Sequence, residues 1–313
     1  MRRAALPLAA LLATACASPS TTGPSPAPVP ARSYAAHPGF DSYYYPGDSA
    51  LRAWRAPASP YRWVGYYLAA PCHRESSWSG RRPTIEALGW GIAVLYVGQQ
   101  TWEGQAQVAP PDVPPSAAVT TAPVPADTLP RPSVRAPGDT LRTPGDTLPR
   151  AATAAAAVPP ACAVSELTAA RGTADGADAV ARAAAEGFAA GTVIFLDVER
   201  MERIHQAMHD YHRAWVRAVV ADGRFRPGLY CHTRNAAELH AAVQAELAAA
   251  GVAAPPHVWV ASGTGFDVTK RPEEVGHPFA TVWQGAFDVR ETWGGVTLRI
   301  DANVARTPSP SSP

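Results

Sequence analysis

The sequence has almost no excess of charge of either sign. Its 27 Lys and Arg residues nearly balance its 26 Asp and Glu residues, so the formal net charge is only +1 over 313 residues. This balance gives no electrostatic reason to bind a polyanion such as nucleic acid or an anionic membrane surface. We therefore expect no nucleic acid among its partners.

The sequence also lacks the signatures of several common chemistries. It contains no CxxC pair, no HExxH, no GxSxG elbow, no phosphate-binding P-loop, and no GxGxxG after its first strand. His205, His209 and His212 recur on one helix face, which could suggest a metal site, but a solvated helix face explains them more simply. We expect neither a metal nor a cofactor.

Long apolar runs are missing as well. The longest near the start, Leu6–Ala15, is shorter than the roughly 20 residues that span a bilayer, and it follows Arg2 and Arg3. This pattern predicts an export signal over residues 1–16. Cys16 follows a segment that resembles a bacterial lipoprotein cleavage box, which predicts a lipidated Cys16 and a lipid anchor in the cell envelope. Cleavage at an A-x-A site, with a secreted or periplasmic product, is the alternative.

Cysteine is scarce, with four residues in the chain. If Cys16 is lipidated, at most one disulfide can form among the remaining three. We expect Cys72 to pair with Cys162, because both lie in loops near strand ends, and Cys231 to be a small buried residue.

Proline, in contrast, is abundant, with 33 residues, many of which cluster in two tracts. Residues 17–36 are typical of an extended tether, and residues 105–160 of a disordered insertion that cannot bury enough apolar surface to fold alone. We therefore predict one monomeric domain over residues 37–305, interrupted by this insertion and followed by a disordered tail at 306–313.

Within that domain, short apolar runs alternate with helical patterns. The predicted strands are residues 39–43, 63–69, 92–97, 193–198, 228–231, 258–261, 281–284 and 298–301, and the predicted helices are 49–55, 84–89, 164–190, 204–221 and 235–250. Eight strands in a mostly β-then-α order favour a TIM-like (β/α) barrel, and the missing late helices predict an irregular second half. A doubly wound open sheet is the alternative.

Four carboxylic acids stand at the ends of predicted strands. Asp41 lies near the end of the first, Asp197 and Glu199 end the fourth, and Asp301 ends the eighth. Strand ends of a parallel barrel converge at one mouth, where catalytic residues lie. Because Asp197 and Glu199 are two apart on a strand, they share a face, and like charges so close raise each other's pKa. We predict acid/base catalysis on a sugar.

Aromatic residues accompany these acids along the predicted strands. A ring of aromatics around carboxylic acids suits a sugar, whose C–H faces pack on rings while its hydroxyls form hydrogen bonds. The amide of Gln284 could serve a hydroxyl or an acetamide group. The candidate substrate-binding residues are Tyr43, Tyr67, Tyr96, Tyr230, Trp259, Trp283 and Gln284.

Read in order, the strand segments GFD, FLDVE, GLYCH, VWVA, WQG and IDAN resemble the barrel of the glycoside hydrolase family 25 lysozymes. They are more similar still to the related DUF1906, or Rv2525c-like, glycoside-hydrolase-like domain. The resemblance implies an irregular β/α barrel and peptidoglycan, or a related amino-sugar glycan, as substrate. It also implies that Glu199 is the general acid, Asp197 its stabilising partner, and Asp41 and Asp301 supporting acids.

A non-catalytic protein on the same barrel is the alternative function. Such a protein would bind cell-wall glycan or organise the envelope, and acids inherited from an enzyme could persist in it without turnover. The complete set of four acids favours the enzyme.

Overall fold

The computed structural model describes residues 36–101 and 162–313. The predicted signal, Cys16, the tether and the 105–160 insertion therefore lie outside the described residues, apart from position 36. No helix in the described ranges has the length and apolar character needed to cross a bilayer.

Eight strands and five helices follow one another along the chain. The strands are β1 (His37–Asp41), β2 (Trp63–Tyr67), β3 (Gly91–Val97), β4 (Val193–Val198), β5 (Arg226–His232), β6 (His257–Ala261), β7 (Val282–Trp293) and β8 (Val296–Ala305). The helices are α1 (Asp48–Trp54), α2 (Arg82–Ala87), α3 (Ala169–Ala185), α4 (Gln206–Asp222) and α5 (Thr233–Ala249). A short 3₁₀ turn precedes α3, and another, Pro272–Val275, stands where a helix would link β6 to β7.

The strands close into one barrel in chain order, which confirms the TIM-like fold and excludes the open sheet. Strands β1 to β7 are parallel to their neighbours, but β8 is antiparallel to both β7 and β1. A tight Gly294-Gly295 turn, with positive φ at both residues, joins β7 directly to β8. The predicted irregular second half is thus a long hairpin in place of a crossover helix.

The carboxyl ends of the parallel strands define the upper end, or mouth, of the barrel. Large side chains fill the interior below it. Trp259 is at its centre, with ring centroids 5.4 Å from Trp63, 5.7 Å from Phe195 and 5.6 Å from Tyr230. Edge-to-face pairs of this kind add to the energy of area burial. Because these rings fill the lower interior, space for polar groups and a ligand is left at the upper end.

The end of the chain corrects one expectation. Residues 306–313 do not form a disordered tail: the Ser311 hydroxyl accepts from the Val94 backbone N–H at 2.7 Å, and the Ser311 carbonyl accepts from Val193 N–H at 2.9 Å. Strands β3 and β4 begin to pair only at Val94, so the amino end of this strand pair leaves backbone groups free. The tail forms hydrogen bonds with these backbone groups. Its Pro- and Ser-rich composition gives no sign of this role.

The cysteine prediction is confirmed. Cys72 and Cys162 form a disulfide that links the loop after β2 to the segment before α3, and Cys231 is a buried free thiol.

Candidate functional site

Four carboxyl groups meet at the upper end of the barrel. Asp41, the last residue of β1, lies directly opposite Asp301 in the β1–β8 register, and Asp197 is on β4 with Glu199 just beyond it. Electrostatic coupling connects Asp41 with Asp301, Asp197 with both Glu199 and Asp41, and Glu199 with Asp301. The structure therefore brings the four predicted acids into one cluster.

Asp301 reaches this cluster by a route that the sequence did not predict. It was expected at the carboxyl end of a parallel eighth strand, but β8 is antiparallel and continues four residues further to Ala305. The chain enters β8 from the β7 hairpin and passes the mouth before it descends. Asp301 therefore lies at the mouth although it does not end its strand.

Asp41 is held by two hydrogen-bond donors. Tyr67 Oη donates to Asp41 Oδ2 at 2.7 Å, and Asn303 Nδ2 donates to Asp41 Oδ1 at 2.8 Å. Gly65 makes room for this carboxylate, because a Cβ there would lie 2.5 Å from the Asp41 Cβ. Burial, reinforced by the charge of Asp301, raises the pKa of Asp41 to about 7 although both donors oppose the shift.

Asp197 has the opposite surroundings. It is only 6% exposed, and its Oδ1 atom has no hydrogen-bond partner among the described residues. Burial first, and then the charges of Glu199 and Asp41, raise its pKa well above the usual range of an aspartic acid. Asp197 is thus the acid least able to carry a charge.

Glu199 and Asp301 are partly exposed, so the cluster is open to solvent through them. Burial raises the pKa of Glu199, partly offset by a hydrogen bond from the Arg200 backbone N–H. Burial also raises the pKa of Asp301, which accepts from Gln284 Nε2 at 2.6 Å and from the Asp288 backbone N–H at 2.6 Å. Burial therefore favours the protonated form of all four carboxyl groups in the cluster.

Gln100 is a site residue that sequence reasoning missed. Its Nε2 donates to the Asp197 carbonyl at 2.9 Å, and its Oε1 accepts from the Glu199 backbone N–H at 3.1 Å. One buried amide thus bridges both ends of the D-x-E segment and fixes the direction of its side chains. A buried Gln just after β3 was the available signal, but only the neighbouring position of β4 gives it meaning.

Asn303 is a second missed residue. It accepts from the Trp259 indole N–H at 3.0 Å while it donates to Asp41, so a chain of hydrogen bonds runs from the barrel core to the acids. Asn303 lies two positions after Asp301 on one strand, which places both side chains on the inner face. That spacing was visible in the sequence.

The predicted aromatic residues are divided by the structure. Tyr67 and Tyr230 lie with the acids, and Tyr43 is partly exposed beside the mouth. Trp259 is fully buried beneath the cluster, where it supports Asn303. No solvent-facing surface of Trp259 is left for a substrate.

Two of the aromatic candidates are on the outer face of the barrel wall. Tyr96 is fully buried and donates to Asp178 of α3 at 2.9 Å. Trp283 is fully buried, donates to the Ser262 carbonyl at 2.7 Å and packs edge-on against Phe266. Each is next in sequence to an inward-facing residue, Leu95 and Gln284, so strand alternation turns both rings away from the acids.

Of the three histidines in this pattern, His205 is the N-cap residue of α4, and only His209 and His212 are in contact. His209 Nδ1 lies 3.1 Å from His212 Nε2, and its other nitrogen lies 2.8 Å from Glu238 Oε1. Within residues 36–101 and 162–313, no group of three or more His, Cys, Asp or Glu side chains is arranged to hold a metal. The two histidines instead connect α4 with α5.

His73 packs against two tyrosines beside the cluster, stacked on Tyr67 and edge-on to Tyr43. Its ring centroid is 4.5 Å from Tyr43 and 4.7 Å from Tyr67, the residue that binds Asp41. It is fully buried, both ring nitrogens lack partners among the described residues, and burial lowers its pKa to about 4. His73 therefore acts as a neutral spacer that fixes Tyr67 in place.

This arrangement predicts an unusual effect of His73→Phe. Wild-type protein must bury a neutral His73, so it loses stability as pH falls from about 6.5 toward about 4, at roughly 1.4 kcal/mol per pH unit. His73→Phe keeps the stack and removes this penalty, so its Tm should match wild type at pH 8 and exceed it at pH 5. His73→Ala, the control, leaves a cavity and should cost about 3 kcal/mol at pH 8 but less at pH 5, because it also removes the imidazole that wild type must keep neutral. Equal pH dependence of wild type and His73→Phe would contradict the buried neutral imidazole.

The fold is similar to those of several solved structures. No curated protein sequence matches the chain. Among solved structures, an uncharacterised protein of B. stearothermophilus is similar, with 16% identity, a TM-score of 0.48, and coverage of 86% of this chain and 95% of that one. The Tat-secreted protein Rv2525c of Mycobacterium tuberculosis, in complex with L-tartrate, has 14% identity, a TM-score of 0.43, and coverage of 87% and 95%.

The modular autolysin LytC of Streptococcus pneumoniae is also similar, with 11% identity and a TM-score of 0.45. That match covers 86% of this chain but 46% of LytC. A family model described as the Rv2525c-like, glycoside hydrolase-like domain matches residues 52–305. This match spans most of the chain, so the chain belongs to the Rv2525c-like, glycoside hydrolase-like family.

Proposed function

We propose that this protein is a glycosidase that cleaves the glycan strand of peptidoglycan, or a related amino-sugar polymer, in the manner of a muramidase. The observation that carries the proposal is the cluster of four carboxyl groups, all with raised pKa values, at the open end of the barrel. Glycoside hydrolysis needs one protonated acid for the leaving oxygen and one ionised group near the oxocarbenium-like centre.

Glu199 is assigned the role of general acid. Its carboxyl group is partly exposed, so a glycosidic oxygen can reach it, and burial raises its pKa toward the range where it holds a proton. The amide of Gln100 fixes its backbone, which limits the positions that the carboxyl group can adopt.

Asp41 and Asp301 suit the ionised role better than Asp197 does. Each of the two accepts two hydrogen bonds, which stabilise a carboxylate, whereas Asp197 Oδ1 has no partner among the described residues. The resemblance implied that Asp197 is the stabilising partner of Glu199. The electrostatics instead favour a protonated Asp197, whose O–H can donate to the substrate. We assign the ionised role to Asp41 and Asp301 together, because both accept hydrogen bonds that stabilise a carboxylate.

The remaining roles follow from position. Tyr67, Tyr230 and Tyr43 are the aromatic candidates for contact with the sugar, and Gln284 offers its amide at the mouth. We also propose that the protein is exported, because a cell-wall substrate requires a protein outside the cytoplasm. A lipid anchor on Cys16 and a monomeric state complete the proposal.

The test is a digest of purified peptidoglycan, followed by assay of new reducing ends and mass analysis of the products. A muramidase releases fragments that end in reducing N-acetylmuramic acid, and none should appear with heat-inactivated protein. Binding to the polymer without any release would replace the enzyme with the alternative, a glycan-binding protein.

One observation favours that alternative. The hydrogen bonds that hold Asp41 and Asp301 come from residues of the protein itself, so these two acids also serve to join β1, β2, β7 and β8. Acids with such a structural role could be retained without turnover.

A further inference from the structure

Phe287 is the one large apolar side chain that the described ranges leave exposed, at 46% of its surface. Aromatic rings are normally among the most useful residues for a core, because they bury a large apolar area. Phe287 is on β7, three residues after Gln284, on the strand that leads away from the acid cluster. Its exposure therefore calls for an explanation at the mouth of the barrel.

The backbone around Phe287 is specially shaped. The β7–β8 register is shifted between Ala286 and Val289, which marks a β-bulge around Phe287 and Asp288. Asp288 has φ of 56°, the one positive φ at a non-glycine position in the described part of the chain. Bulges commonly occur next to functional sites, where they redirect a side chain. Here the redirected side chain is the Phe287 ring.

The bulge is fixed to the acid cluster itself. The Asp288 backbone N–H donates to Asp301 Oδ1 at 2.6 Å, and the Asp288 side chain forms an ion pair with Arg299 across the hairpin. Asp301, an acid of the proposed site, thus holds the β-bulge that exposes Phe287. The ring lies beside Gly263 in the loop after β6, where a Cβ would be 3.7 Å from Phe287 Cε2.

An unsatisfied polar atom lies on the same strand. Gln284 is 2% exposed and uses its Nε2 to bind Asp301, while its Oε1 is buried with no hydrogen-bond partner among the described residues. A buried carbonyl oxygen without a donor costs free energy, so the site favours a ligand that brings an N–H or O–H group. The two features together require a ligand with an apolar face and a nearby hydrogen-bond donor.

We propose that Phe287 and Gln284 form a subsite for one sugar unit, whose apolar C–H face packs on the Phe287 ring while an N–H or O–H donates to Gln284 Oε1. This inference rests on the proposed function and deepens it, because it specifies how one unit of the glycan is held beside the acids. An N-acetylated sugar fits this chemistry, since its ring has an apolar face and its acetamide N–H is a donor.

The test is binding of a soluble N-acetylglucosamine–N-acetylmuramic acid oligosaccharide to the full chain, measured by calorimetry in a Glu199→Gln background that prevents turnover. Phe287→Ala should weaken binding about tenfold, and Phe287→Trp should restore it, because a ring of any kind supplies the stacking face. Arg290→Ala is the matched control, an exposed residue of the same strand, and should leave binding unchanged.

Kinetics separate this subsite from the chemistry. With Glu199 intact, Phe287→Ala should raise KM about tenfold and leave kcat nearly unchanged. Unchanged binding in Phe287→Ala overturns the subsite even if hydrolysis is observed. Binding that depends on Phe287 without any hydrolysis by the wild type upholds the subsite and overturns the enzyme. Failure of the wild type to bind the oligosaccharide overturns both.

Discussion

Replacing Glu199 by Gln is expected to lower the rate of glycan hydrolysis about a thousandfold, the scale of a lost general acid. Gln has nearly the same shape as Glu but no proton to give to the leaving oxygen. The Glu199 backbone N–H that binds Gln100 is not altered, so the D-x-E segment should keep its conformation. The measurement is the initial rate of reducing-end formation on purified peptidoglycan.

Glu202→Gln is the control for this experiment. Glu202 follows three residues later, is exposed, and forms only surface ion pairs with Arg200 and Arg234. Such pairs contribute little to stability, so this variant should behave like the wild type. Normal turnover by Glu199→Gln, with unchanged Tm, would remove Glu199 from the acid role. The rate should then be followed in Asp41 and Asp197 variants.

Replacing Asp197 by Asn is expected to stabilise the protein at neutral and alkaline pH. An unfolded Asp197 is ionised at pH 7, but burial without a partner for Oδ1 raises the pKa in the folded state well above the usual range. Folding must therefore take up a proton or bury a charge, and either costs free energy. Asn avoids this cost, with an expected gain of about 1–2 kcal/mol, or roughly 3–6 °C in Tm.

The pH dependence of this gain has a definite sign. A carboxyl group whose pKa is raised on folding contributes stability that is complete below its unfolded pKa and is lost as pH rises through its folded value. Wild type and Asp197→Asn should therefore have nearly equal Tm at pH 4 and diverge as pH increases to 8. Thermal unfolding followed by circular dichroism across this range is the measurement.

The matched control for Asp197→Asn is Asp210→Asn. Asp210 is an exposed residue of α4 whose side chain accepts from Gln206, and its replacement should change Tm by little at any pH. A lower Tm for Asp197→Asn at pH 8 would show that the carboxylate is stabilised in the folded protein, contrary to the structure.

The stabilising effect of this change also bears on function. Four acids in one barrel mouth lower the free energy of unfolding at neutral pH, since burial and mutual repulsion raise the pKa of each of them. Sites that are costly to fold are commonly sites of activity. A variant that is more stable but less active would support the proposed glycosidase.

Local sequence pattern predicted most elements to within two or three residues. Strand β4 is identical in prediction and structure, and α1, α4 and α5 begin and end within two residues of the predicted bounds. These segments have a single strong period, which depends only on near neighbours in sequence. The β7–β8 hairpin was underestimated, with 281–284 predicted for a strand that extends to Trp293. Its outer part is half exposed, contacts α1 through the Trp54 indole, and lacks the apolar run that marks a buried strand.

Whether an aromatic side chain on a strand faces the barrel interior or the outside is harder to predict from sequence. Tyr66 and Tyr67 are adjacent, yet Tyr67 faces the acids while Tyr66 bonds to Glu186 at the end of α3. Alternation is fixed by the pleat, but which of two neighbours faces inward depends on the register with adjacent strands. For the same reason Tyr96 and Trp283 were placed at the site although they face outward.

The sequence by itself determined most strands and helices of the barrel and which acids stand near the strand ends, because strand periodicity and the D-x-E spacing are local properties. Only the tertiary structure decided how they are gathered: the reversed direction of β8, the amide of Gln100 across from β4, and the bulge that exposes Phe287. Each of these depends on contacts between residues distant in the chain. Such contacts form only when the barrel closes, so they cannot be predicted from the local sequence pattern.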